Sequence, residues 1–163
     1  MGEISTPFAS RRQVFNTALE YGFRAVCLLG TAYPSALRVQ ALSDLDHFVV
    51  HSADVGGPPS LHAAVPLRSS ELLIRRSLME RGLLLMMSRG LIARTSTSSG
   101  FYYVVTDDAL PFLDAFQSAY IIGLRIRTQW VWDTFGPRGE DAIRAQVETL
   151  FQWTSEFQPM EGG

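Results

Sequence analysis

Two histidines four residues apart, His47 and His51, are the residues best spaced for chemistry, because an i, i+4 pair projects from one face of a helix. Asp44 lies one turn earlier, and His62 or Asp54 from the following loop would complete a ligand set. Imidazole and carboxylate donors at this spacing permit zinc coordination. A histidine zinc site is usually announced by a tighter pattern such as H-E-x-x-H, which the sequence lacks. The structural reading is therefore preferred: His51 and Ser52 cap the helix end and bond loop carbonyls, while His62 fixes the loop. No metal set and no cofactor are expected. The single cysteine, Cys27, follows Ala25 and Val26 and precedes Leu28 and Leu29, so it reads as core rather than as an exposed, activated nucleophile. Neither a G-x-S-x-G elbow nor a G-x-x-x-x-G-K-S/T loop occurs, and the absence of lysine removes the phosphate-loop cation. The chain reads as non-enzymatic.

Binding remains. Arg75 and Arg76 fall early on a helix that could read DNA, with Arg81, Arg89 and Arg94 nearby. Affinity for DNA comes mostly from phosphate neutralisation, and a net charge of -2 supports only a modest footprint. A DNA reader also needs a positioning helix joined by a short turn, whereas Gly56, Gly57, Pro58 and Pro59 occupy that place. Protein binding is thus preferred, with a winged-helix DNA-binding regulator as the alternative. Trp130, Trp132, Phe135, Phe151, Trp153 and Phe157 crowd towards the C-terminus, mostly as core, and make the last helices a second candidate docking surface.

The elements that position these residues follow from periodicity and punctuation. A first helix is expected over 16–30, capped by Asn16 or Thr17 and ended by Gly30. A second runs from Pro34 or Ser35 to about His51, with Ala41, Leu42, Leu45, Phe48 and Val49 at helical spacing. The Gly-Gly-Pro-Pro stretch within 51–66 then denies helix. Ser69 and Ser70 ahead of Glu71 start a third helix reaching Ser88, with a bend expected at Gly82. The segment 91–106 has two β-prone runs around a Ser-rich turn, a hairpin wing. A long helix from Asp107 or Asp108 to Phe135 should bring Phe112, Phe116, Tyr120, Leu124 and Val131 to the core, before Gly136 and Pro137 end it. A last helix from about Arg138 carries Ile143, Val147, Leu150, Phe151 and Thr154, and the terminal Glu-Gly-Gly reads as frayed. The fold class is α+β, predominantly helical, with a winged-helix-like core over about 35–106 between flanking helices at 16–30 and 107–158, all in one domain spanning 1–163.

Composition agrees. The chain is 47% hydrophobic and only 18% charged, so it can fill a sizeable interior and shows little charge outside it, a balance that favours a partner. All 14 basic residues are arginine, which suits carboxylate and phosphate pairing but follows equally from a GC-rich genome, the preferred explanation. One cysteine, no charged-then-apolar start and no run of about 18 apolar residues point to a soluble cytoplasmic protein without a membrane span.

Three stretches, LEYGFRA (19–25), VHSADVGGPPSLHAAVPLRSSELLIRR (50–76) and GLLLMMSRGLI (82–92), resemble the middle component of bacterial ABC-three-component conflict systems, with the HS-x-D-x-G-G-P-P-S-L-H run as the specific part. Such systems overlap with the anti-phage systems called Lamassu. The resemblance implies a small winged-helix-like adaptor between an SMC- or Rad50-like ABC ATPase and a variable effector, often a nuclease, with DNA contact only inside the complex. It carries over His51, Ser52, Asp54, Gly56, Gly57, Pro58, Pro59, Ser60, Leu61 and His62, with Arg75 and Arg76 beside them, as partner-binding residues. Whether that loop is rigid packing or direct contact stays open at this level.

Overall fold

A helix that is apolar on every side has to be enclosed. Helix α1 (Ala18–Ala32) comes close to this, with Arg24 through Leu29 buried without interruption. The computed structural model describes residues 17–63 and 69–157 and packs α1 against most of the later elements. Asn16, the stretch 64–68 and the tail after Phe157 lie outside the described residues, as do the side chains of Ser69, Ser70, Trp153, Thr154 and Phe157. The helix runs through Gly30 to Ala32, two residues beyond the expected stop. Helix α2 (Val39–Val50) begins later than expected, because Leu37 is extended and pairs with Tyr103 through two backbone bonds of 2.8 and 3.0 Å. From Ala41 to Val50 every residue of α2 is buried, including Ser43, Asp44, Asp46 and His47. Helix α2 therefore carries charge into the interior.

Helix α3 (Ser69–Ser88) is continuous through Gly82, where a bend was expected. Gly82 instead meets Gly22 at the crossing of α3 with α1: a Cβ added at Gly82 would lie 2.5 Å from the Gly22 nitrogen and 2.7 Å from the Ala18 carbonyl oxygen. After α3, Gly90 adopts φ 73°, open to glycine at little cost, and the Gly90 and Leu91 amides donate to the Met87 and Met86 carbonyls, both at 3.0 Å. This terminus aims the chain into strand β1 (Ile92–Thr97), which pairs antiparallel with β2 (Gly100–Val105) across a Ser98–Ser99 turn. Thr106 closes the hairpin's base by donating from its hydroxyl to the Gly90 carbonyl at 2.6 Å.

The expected long helix is two: α4 (Ala109–Asp114) and α5 (Ala119–Phe135). Apolar spacing runs through the break, but Phe112 and Phe116 turn together onto Phe23 of α1, with centroids 5.8 and 5.2 Å away. Ser118 then caps α5 by accepting from the Ile121 amide, and Arg125 reaches back to Asp114 at 2.9 Å. Leu124 and Val131 are buried as expected, Phe112 and Tyr120 half-buried, and Phe116 lies at the surface. Helix α6 (Glu140–Phe157) follows a short turn at Gly136–Arg138 and buries Ile143 and Val147. The fold is α+β and predominantly helical, with one hairpin. Among the described residues no helix is long and apolar enough to cross a membrane.

The glycine contact yields a test. Alanine in a helix interior is favoured over glycine by about 1 kcal/mol, yet at Gly82 its methyl meets backbone atoms, which cannot rotate aside, and overpacking costs about 1–3 kcal/mol or more. Gly82→Ala should therefore lower the thermal midpoint by several degrees, at about 2–4 °C per kcal/mol for this size. An unchanged or raised midpoint in a melting experiment contradicts the close crossing.

Candidate docking site

The loop that joins α2 to α3 folds onto its own domain. Helix α2 ends at Val50, with the His51 amide donating to the His47 carbonyl at 3.0 Å, and a single 3-10 turn covers Ser52–Val55. Gly56 is left-handed, at φ 78°. The Ser52 hydroxyl, fully buried, donates to the Pro58 carbonyl at 2.8 Å, the Gly57 amide to the Ser52 carbonyl at 2.9 Å, and the Ala53 amide to the Ser60 hydroxyl at 3.1 Å. Prolines lack a backbone donor, so only their carbonyls need partners. The Pro59 carbonyl accepts from both Nε and Nη2 of Arg127, at 3.0 and 2.8 Å. The His62 amide donates to the Val50 carbonyl at 3.0 Å and closes the loop where it began.

Its floor is one stripe of α5. Tyr120, Gly123, Arg127 and Trp130 recur at spacings of three and four, so they share a face. His62 Nε2 lies 2.9 Å from the Tyr120 hydroxyl, and a Cβ added at Gly123 would stand in ordinary contact with Leu61, at 3.7 Å. At Gly57 an added Cβ would come within 2.5 Å of the Trp130 ring, so any larger residue there must displace the indole. Asp54, Gly56 and Pro59 remain exposed, whereas His51 and Ser52 are buried and Gly57, Pro58, Ser60, Leu61 and His62 are half-buried.

Beneath the loop lies a buried polar cluster. Arg24 of α1 donates to both carboxylate oxygens of Asp46 on α2, at 2.5 and 3.1 Å, a bidentate pair. Glu20 stands 3.5 Å from Arg24 and accepts from the Tyr120 hydroxyl at 3.1 Å. With that phenol proton given to Glu20, His62 Nε2 is the donor to Tyr120. Arg75 of α3 approaches Asp46 at 4.0 Å and His51 Nε2 at 3.3 Å. A guanidinium only donates, so His51 Nε2 is the acceptor and the ring is neutral. The rings of His47 and His51 are 4.9 Å apart, and neither His47 nitrogen has a hydrogen-bond partner among the described residues. Burial, and after it the nearby guanidiniums, holds His47 down to about 3 and His51 and His62 down to about 4. At neutral pH the cluster's cations are thus Arg24 and Arg75.

The two arginines predicted side by side therefore part company. Successive helical residues point about 100° apart: Arg75 turns inward with its side chain 12% exposed, while Arg76 lies 47% exposed and bonds Gln40 and Glu80. Asp44 pairs with Arg144 of α6 at 2.9 Å, and burial lifts its carboxyl to about 6. Asp54 is exposed. Among the described residues no group of three or more His, Cys, Asp or Glu side chains is placed to hold a metal. Cys27 is buried, and burial pushes its thiol up to about 12, so it stays protonated at neutral pH. Sequence reasoning missed Arg24, Asp46 and Glu20, and placed Tyr120 only as a core contact. The signal for Arg24 and Asp46 was a charged residue inside each of two otherwise enclosed helices, since a buried charge requires a partner.

Removing one member of a buried pair strands the other. Asp46→Ala should cost about 3–5 kcal/mol in denaturant unfolding, and replacing both Arg24 and Asp46 by leucine should recover most of it. A loss below about 1 kcal/mol for the single change contradicts this ion pair's place in the core.

Comparison with curated proteins and with solved structures finds no match. The sequence profile described as the ABC-three component system Middle Component 2 matches residues 14–156, a span that takes in every helix from α1 into α6, the hairpin, the Gly-Gly-Pro-Pro loop and the charged cluster beneath it. The chain belongs to the family of middle component 2 of ABC-three-component systems.

Proposed function

We propose that this middle component is a non-catalytic adaptor that links an SMC- or Rad50-like ABC ATPase to an effector, often a nuclease, in a bacterial cytoplasmic anti-phage complex. The observation that carries the reading is the family match over residues 14–156, which makes the chain one component of a multi-protein system. The interior supports it: His51 and His62 are hydrogen-bonded to Arg75 and Tyr120, and the buried charges Arg24 and Asp46 to one another, within the fold. The element order supports a winged-helix core, since α1, the bridging residue Leu37, α2, α3 and the hairpin succeed one another in that sequence. In this reading DNA is met only within the assembled complex, because a net charge of -2 gives the lone chain little hold on phosphate.

The test is tagged co-purification with the ATPase and effector encoded beside it, followed by phage challenge of cells with and without this gene. The adaptor reading expects a stable stoichiometric complex and lost protection on deletion. A chain that purifies alone whichever neighbours are co-expressed, with protection unchanged by its deletion, overturns the reading. So does sequence-specific nanomolar DNA binding by the chain alone, the behaviour of a transcription regulator.

A further inference from the structure

The hairpin's inner face continues past the core. Antiparallel pairing sets Ile92 opposite Val105, Arg94 opposite Tyr103 and Ser96 opposite Phe101 on that face. Ile92 and Tyr103 are buried, so the distal residues Arg94 and Phe101 overhang α3 rather than pack on it. Opposite them, Arg76, Glu80 and Leu84 form one stripe of α3 at a spacing of four. A groove of about 460 Å³ separates hairpin from stripe and is lined also by Arg38, just before α2.

The groove combines exposed apolar surface with unbalanced charge. Leu84 is 55% and Phe101 49% exposed, high for residues of their type. Arg38, Arg76 and Arg94 line the groove together with one carboxylate, Glu80. That carboxylate belongs to Arg76, at 3.4 Å, and Arg38 donates to the Tyr102 hydroxyl at 2.9 Å and stands 3.8 Å from Glu140. Arg94 lies over the Phe101 ring at 4.2 Å and has no ion pair among the described residues. A guanidinium stacked on a ring keeps its N–H edge open, and that edge matches a carboxylate's two oxygens.

We propose that this groove docks an acidic segment of a partner protein, one that sets a large apolar side chain between Leu84 and Phe101 and carboxylates on Arg94 and Arg76. Charge complementarity selects the occupant. A nucleic-acid duplex is disfavoured because its affinity grows with the number of phosphates neutralised, and three guanidiniums around an apolar floor offer few. The proposal deepens the adaptor reading and rests on it, and it places the contact away from the Gly-Gly-Pro-Pro loop.

The experiment uses the full chain and overlapping synthetic peptides covering the ATPase and effector encoded beside it, read by fluorescence polarisation, with the whole complex assayed in parallel by co-purification. Binding should concentrate in peptides that carry adjacent carboxylates and a Leu, Phe or similar side chain. Arg76→Glu with Arg94→Glu should weaken that binding about tenfold or more, as should Leu84→Asp, whereas Arg138→Glu outside the groove should not. Circular dichroism melting checks that the variants fold, and glutamine replaces glutamate at both arginines if they do not. A complex that forms with undiminished affinity in the folded groove variants overturns the groove and leaves the adaptor reading standing. Failure of the wild-type chain to form any complex overturns both. Arginine-dependent binding of a 30-base-pair duplex, with no peptide bound, overturns the acidic-segment proposal in favour of nucleic acid.

Discussion

The bidentate contact between Arg24 and Asp46 is the constraint around which the rest of the domain is arranged. Each residue is buried in a helix enclosed by the fold, and an isolated ion there is untenable. Buried pairs add little stability over an apolar replacement, because desolvation consumes the attraction, but they fix geometry once present. Here the pair sets α1 against α2. Glu20 and Arg75 then need neighbours of their own, and Tyr120, His62 and His51 supply them. A chain of contacts thus leads from the centre of the domain to the two ends of the loop.

That chain explains why the most distinctive stretch of sequence faces inward. Pro58 and Pro59 offer carbonyls to Ser52 and Arg127, Gly57 clears the Trp130 ring, and Leu61 lies against α5 at Gly123. A loop with its polar atoms and Leu61 so engaged has little left for a partner beyond Ala53, Asp54, Gly56, Pro59 and Ala63 at its rim. Exposed surface lies elsewhere, between α3 and the hairpin, where rigid elements hold arginines and apolar side chains at fixed spacing.

Much of this architecture was legible in the sequence, where local chemistry decides structure. The hairpin followed from a Ser-rich turn between β-prone runs, and α3 was expected from its Ser69–Ser70–Glu71 start to reach Ser88, as it does. The break between α4 and α5 was not legible, because Phe112 and Phe116 keep a helical spacing and the force that parts the helices comes from Phe23, far away in the chain. The loop's role was hidden for the same reason, since its floor is a stripe of α5 some sixty residues downstream. Arg75 and Arg76 look equivalent as neighbours and are separated by helical phase alone, which the sequence does contain. The histidines do stand together, with the His51 ring 4.9 Å from His47 and 6.3 Å from His62, but the ion pair beside them joins residues 22 apart and left no motif.

The 51–63 loop is part of the folded core rather than a free arm. Amide hydrogen exchange on the isolated protein reads this at Gly57 and His62, whose amides donate to Ser52 and Val50. Both should exchange slower than free peptide by on the order of a hundredfold or more, in step with the end of α2. Exchange at the free-peptide rate at both amides, with α2 still protected, would show the loop to be free of the core.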